Sequence, residues 1–411
     1  MLAVLRWAGL VAGALLVVWT IGSVIGTIVV PRGVRSRISG VSWHSVRRVF
    51  LALVRRLGTY EAQDRVLALL GPVSLLVLLL TWLLLLLIGF GLTFWPLSGG
   101  GLLAALRLAG SSLLTLGFAV PEGTAPHVLV FVAAAVGLVV VALQLGYLPT
   151  IYSAYNRRET LVNMLESRAG EPVWGPELLA REQLIGSLAT MPALFSDWEH
   201  WVADLAETHS NYPWLLHFRS SHPLRSWLVS LLAMLDAAAL YLALAPGRAP
   251  PEARHMLRTG FTGLRAIAHA ARVPVNKDPR PDDPLVLTFE EFAEAVEHVR
   301  RVGFPIERET AEAWPHFHGW RVNYEAVAYQ LADNLVAVPA PWSGRRQLTA
   351  GRSIQIRRPL HRTPEDPEGR NARVTPAGRD FSPERGAGAG QPGAHPLRAR
   401  LAGRARQRRP W

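Results

Sequence analysis

Three uncharged apolar runs dominate the first 150 residues: 9–30 (GLVAGALLVVWTIGSVIGTIVV), 72–95 (PVSLLVLLLTWLLLLLIGFGLTFW) and 126–148 (PHVLVFVAAAVGLVVVALQLGYL). Each reaches the roughly 20 residues that a helix needs to cross a hydrocarbon core about 30 Å thick. The pattern therefore predicts three transmembrane helices. The first run exceeds the apolar core of about 7–15 residues in a signal peptide and lacks an A-x-A site, so it is read as a retained span. Between the first two runs, 41–57 sets Val49, Phe50, Leu53 and Val54 among arginine pairs at helical spacing. That fits an amphipathic helix on the membrane surface or a short soluble linker helix. After 148 the helical period continues through Ile151, Ala154, Leu161, Met164 and Leu165. Pro149 should break the span there, with a new helix restarting after it and ending at Gly170 and Pro172.

Beyond residue 176 the period stays helical to about 272, with Asn211-Tyr212-Pro213 as a break, and again from 289 to about 338. The most apolar stretch there, 226–244, contains Asp236. An aspartate at the bilayer centre costs about 2.5–3.5 kcal/mol. The stretch is therefore read as a buried core helix rather than a fourth span, with Arg219 or Arg225 expected as the partner of Asp236. Trp314, Trp320, Arg321, Tyr324 and Glu325 form an aromatic-rich group, read first as packing and second as a partner surface.

The pattern thus gives an all-α membrane protein. It divides into an N-terminal span with a basic segment (1–66), an apolar hairpin (67–150), a helical domain (151–340) and a tail (341–411). Charge refines this picture. The chain carries +12 in 411 residues, yet residues 345–411 alone hold sixteen arginines against five acids. This Arg/Gly/Pro-rich tail has too little apolar surface to offset its ordering entropy and is read as disordered. The tail and the basic segment could meet anionic lipid headgroups. No folded motif points to nucleic acid. Arg32, Arg35, Arg37, Arg47, Arg48, Arg55, Arg56 and Arg65 crowd the first inter-span segment, whereas the second carries only Arg107. Positive segments stay on the cytoplasmic side. This predicts an inner-membrane protein with its N-terminus outside and its helical domain in the cytoplasm.

The 96–125 segment is predicted to lie outside, yet it is apolar: PLSGGGLLAALRLAGSSLLTLGFAVPEGTA. Residues 102–114 could re-enter the membrane as a half-length helix, followed by Thr115-Leu116-Gly117-Phe118-Ala119. Non-helical backbone at membrane depth is tolerated only where it is buried in protein or lines a water-filled cavity. Arg107 is an unusual residue within such a helix.

Here 68–150 resembles the pore-loop segment of two-transmembrane-helix potassium channels, whose signature is T-x-G-[YF]-G. In that family backbone carbonyls replace the hydration shell of the ion. The resemblance implies an ion-selectivity filter at Thr115, Leu116, Gly117, Phe118 and Ala119. It also implies a monovalent cation, potassium first, as the permeant species. Four loops close such a ring, so it implies a homotetramer. Ser112 and Thr115 would keep hydroxyls at the inner end. The match is degenerate: Leu114 replaces a second threonine, Ala119 the second glycine and Val120 the usual aspartate. A Cβ at a left-handed position costs about 1–2 kcal/mol, so Ala119 implies an altered backbone or strain. Gly137 would serve as a gate hinge, or as a small packing position beside Ala133, Ala134 and Ala135. Gln144 would face an inner vestibule or a neighbouring helix. The continuation beyond 148 is similar to actinobacterial membrane proteins with a pore-like segment, which adds no mechanism.

Little else carries chemistry. Cysteine is absent. His316 and His318 lie two apart, off any shared helix face, and no acidic pattern completes a metal site. Phosphate-loop, dinucleotide and G-x-S-x-G motifs are missing. Neither an enzyme nor a cofactor is expected. Two function classes remain: a monovalent cation channel, and a membrane-anchored binding or scaffold protein with a vestigial, non-conducting loop.

Overall fold

The computed structural model describes residues 2–30 and 36–344, and all regular structure among them is helical. The disordered tail expected over 341–411 lies outside the described residues from 345 on; its first four residues, 341–344, belong instead to the helical domain, with Trp342 and Ser343 buried. Among the described residues four helical stretches are long and apolar enough, by length and composition, to cross a membrane, as in a membrane protein; one of the four, Trp227–Leu244, is buried inside the protein.

Helix α1 (Leu2–Val24) continues as a π turn, Ile25–Val29, so the first helix begins before its apolar run and takes in Arg6. It lies antiparallel to α4 (Leu70–Phe94). A Cβ on Gly13 would collide with the Gly89 carbonyl, and one on Gly89 would press on Val17. Such small residues let two helices approach where no hydrophobic force drives them together in lipid. Trp82, fully buried, donates its indole N–H to the Ser23 hydroxyl at 3.0 Å.

Helix α2 (Arg37–Val54) is opened by Ser36, whose hydroxyl accepts the Ser39 N–H at 3.1 Å. It packs Val46 and Val54 against Leu67 and Leu70, where α3 (Tyr60–Ala68) meets α4. Its other face leaves Val41, Val49 and Leu53 exposed beside Arg48 and Arg56. The expected amphipathic character is present, and the buried stripe is spent on α4.

Helix α6 (Thr124–Ala169) departs from expectation: it runs through Pro149 as one helix of 46 residues. At 1.5 Å per residue this spans about 69 Å, enough to cross a bilayer and project well beyond it. The proline leaves only the Leu145 carbonyl without its helical partner. Leu145 is on an exposed face, where that carbonyl need not go unsatisfied. The helix ends as predicted, with Gly170 at φ 86°.

The rest forms a helical domain around α9 (Trp227–Leu244), every residue of which is buried inside the protein. Packed on it are α7 (Gly175–Leu184), α8 (Met191–Asn211), α10 (Pro251–Ala270), α12 (Thr310–Arg321) and α13 (Glu325–Leu335). Helix α11 (Phe289–Arg300) closes over α7 and α12. The reading of 226–244 as a core helix agrees with this burial. The expected partners of Asp236 do not. Arg219 pairs with Asp64, Arg225 with Glu166, and Asp236 is held by Arg321 and by the Tyr324 hydroxyl at 2.9 Å. Helix α12 crosses α9 and supplies a cation from far along the chain, where sequence proximity offered two nearer ones.

Candidate functional site

Helix α5 (Leu102–Leu113) buries Ala105, Leu108, Ala109, Ser112 and Leu113, an i, i+3, i+4, i+7, i+8 stripe that seats it against α4 and α6. Arg107 stands on the exposed face, with no ion pair among the described residues. The last turn docks at Gly137, where a Cβ would fall inside contact distance of the Leu113 carbonyl oxygen. Gly137 therefore serves helix packing in this structure. Gln144 lies on the same buried face of α6 as Gly137 and Val140, inside the protomer.

The chain then turns back on α5. The Thr115 N–H donates to the Ser112 carbonyl at 3.0 Å and the Leu116 N–H to the Ser111 carbonyl at 2.8 Å. Thr115 is left-handed at φ 54° and Gly117 at φ 73°. This is a helix C-cap built on a threonine, a β-branched residue for which that region is costly. Ser111 also accepts the Ala119 N–H on its hydroxyl at 3.0 Å. One serine thus holds both ends of 116–119. The hydroxyl of Ser112, expected at the inner end of the loop, turns back to the Leu108 carbonyl at 2.8 Å.

The structure brings Thr115, Leu116, Gly117, Phe118 and Ala119 into one tight turn. Leu116 and Phe118 are exposed, at 61% and 59%. The carbonyls of Thr115, Leu116, Gly117 and Phe118 accept no hydrogen bond among the described residues. Ala119 is half-buried and stays out of the left-handed region, so its methyl group brings no strain. Sequence reasoning passed over Ser111. Its signal was the spacing of a serine five residues before Leu116 and six before a glycine, which matches a helix-terminating turn.

Below the span helices, the segment 213–220 joins the helical domain to the base of α4. Arg158, buried on α6, donates to the Leu215 carbonyl at 2.9 Å and the Phe218 carbonyl at 2.6 Å, and pairs with Glu159 at 2.8 Å. Its guanidinium also lies 3.2 Å from His209 Nε2. His209 Nδ1 faces the Leu205 carbonyl at 2.9 Å, which fixes the neutral tautomer with its proton on Nδ1. Burial, and then the Arg158 charge, hold this imidazole well below the ordinary histidine range. Among the described residues no cluster of three or more His, Asp or Glu could hold a metal ion. His318 instead faces the Pro281 carbonyl at 2.8 Å.

No protein-family model, curated protein or solved structure matches the chain.

Proposed function

We propose that the chain is a subunit of a homotetrameric pore that conducts monovalent cations, potassium first, through a ring formed by Thr115–Ala119 of four copies. One observation carries this reading: the end of α5 docked at Gly137, thirteen residues into α6. At 1.5 Å per residue that contact lies about 20 Å along the helix from its start. A half-length helix whose C-terminus lies that far in supports the re-entrant reading, in which its partial negative charge favours a cation beyond it. The unpaired carbonyls of 115–118 supply oxygen ligands of the kind that replace hydration water. In this reading the N-terminus and the 96–125 segment face outward, and the helical domain and basic segments lie at the cytoplasmic side of the inner membrane.

The exposed, uncompensated Arg107 and the outward-facing Leu116 and Phe118 favour the other class, a membrane-anchored binding protein whose loop conducts nothing. Cation flux into liposomes holding the purified chain separates the two. The pore reading expects flux that falls at least about tenfold in Gly117→Val, because valine disfavours the left-handed backbone at that position. It also expects a four-subunit mass in detergent. A monomeric chain without flux in any monovalent salt would replace the pore with the anchored binding protein.

A further inference from the structure

A cavity of about 40 Å³ lies where α2, the base of α4, the 213–220 segment and the residues after α13 meet. By the usual need of about 10–15 Å³ per water it holds roughly three waters, the scale of one tetrahedral oxyanion. Leu67 and Leu70 form an apolar wall, and Arg47, Arg219, Arg225 and Ser220 a polar one.

The polar wall has donors without acceptors. Arg219 is fully committed, to Asp64, to the Tyr60 hydroxyl at 2.6 Å, and to the Leu335 and Val336 carbonyls, each at 2.9 Å. Its charge is therefore fixed in place. Arg225 pairs with Glu166 and donates to Asn163 Oδ1 at 2.9 Å, which leaves its Nε buried with no acceptor. Ser220 is 7% exposed, and its hydroxyl has no partner among the described residues. Arg47 donates to the Asn334 carbonyl at 3.3 Å and has no carboxylate partner among the described residues. Burial pushes its pKa down, with no counter-charge to offset that cost. A buried donor left unpaired costs about 1–3 kcal/mol. Two such groups, the Arg225 Nε and the Ser220 hydroxyl, belong to residues of this cavity's wall, and Arg47, bonded to one carbonyl, adds a guanidinium without a carboxylate partner among the described residues; together they lack acceptor oxygens and a negative charge. Water supplies the first and not the second.

We infer that this cavity binds a phosphate-type oxyanion, with Arg47, Ser220 and Arg225 as its donors. Guanidinium groups match the oxygen spacing of phosphate, and the hydroxyl adds a neutral donor opposite. The ligand bridges α2, the base of α4 and the helical domain, so its binding ties the N-terminal segment to the rest of the molecule. The same chemistry is carried by free phosphate and by a phosphomonoester lipid headgroup. The inference stands apart from the pore: it needs neither conduction nor a tetramer.

The test is equilibrium binding by the full chain, with radiolabelled inorganic phosphate in uncharged detergent, and with phosphatidic acid in nanodiscs. Saturable binding, weakened at least about tenfold in Arg47→Gln and severalfold in Ser220→Ala, is expected in one arm or both. The exposed neighbour Arg48→Gln should leave it unchanged, and unaltered melting midpoints confirm that the variants fold. Binding of phosphate in detergent assigns the free ion as the source, and binding confined to the nanodisc arm assigns the headgroup. Absence of saturable binding in both arms, or binding that survives both substitutions, overturns the site.

Discussion

His209 shows how one buried side chain makes a pH dependence legible. Its Nδ1 proton goes to the Leu205 carbonyl and its Nε2 lone pair faces Arg158, and burial first and the Arg158 charge second disfavour a further proton. Protonation would place two cations together in a buried site, so the folded state keeps the ring neutral. The unfolded chain takes up that proton below about pH 6.5, the ordinary histidine value. Stability contributed by the neutral ring is therefore complete above that pH. It is lost as pH falls, by up to about 1.4 kcal/mol per pH unit. Melting midpoints between pH 5 and 7.5 should fall on acidification, and His209→Gln should flatten the slope by one proton. An unchanged slope would show that another group governs the acid response. The sequence showed none of this, because thirteen scattered histidines look alike until packing chooses one. Asp236 was half legible by contrast. Its burial and its need for a cation followed from one carboxylate in an apolar run. The identity of that cation, Arg321, depended on how α12 crosses α9. Arg321 also gathers Glu325 at 2.7 Å and the Tyr329 hydroxyl at 2.8 Å, so three members of the aromatic-rich group, Arg321, Tyr324 and Glu325, belong to a buried ionic cluster, while Trp314 and Trp320 pack against the core as expected.

Among the elements, apolar length located the span helices well, and local chemistry located their ends poorly. Pro149 was expected to stop a helix that instead continues, since a proline removes one bond and an exposed turn tolerates that loss. Helix α5 ends within a residue of its expected limit, because its apolar stripe stops there. What holds the following turn, Ser111, carried only a spacing signal. The seat of α5 was visible merely as a glycine in an apolar run, and two roles were open for Gly137. The structure assigns it contact with the Leu113 carbonyl, which gives a sharp expectation. Gly137→Val must push α5 away from α6 and should destabilise the protein by about 1–3 kcal/mol, the range for overpacking. Gly22→Ala, at a position with open space around it, should be neutral or slightly stabilising. Thermal unfolding in detergent compares the two. If Gly137→Val melts with the parent, the seat of α5 on α6 is wrong, and the re-entrant reading goes with it.

At the scale of the whole molecule, two links of different kinds between the helical domain and the span helices stand out among the described residues. One is covalent and stiff: α6 runs from the span region into the domain without a break. The other is a clamp. The 213–220 segment is tied to α6 through Arg158, and Trp214 meets Trp43 of α2 edge-on at 5.5 Å. Phe218 lies against Gly71, where a Cβ would stand 2.7 Å from its ring. Motion of the domain can therefore reach α4 as well as α6, and any gate in the span region is moved from two sides. Gly71→Val should wedge this clamp open and leave α9 untouched, because α9 is buried within its own domain and has no part in the contact. Amide hydrogen exchange reads the distinction directly, since local opening and global unfolding expose different amides. Protection should drop by at least about tenfold across 213–219 in the variant, with the protection of 227–244 unchanged. Parallel loss in both segments would mean that the domain and the spans unfold as one cooperative unit. The clamp would then be part of a single core and could not act as a joint between two.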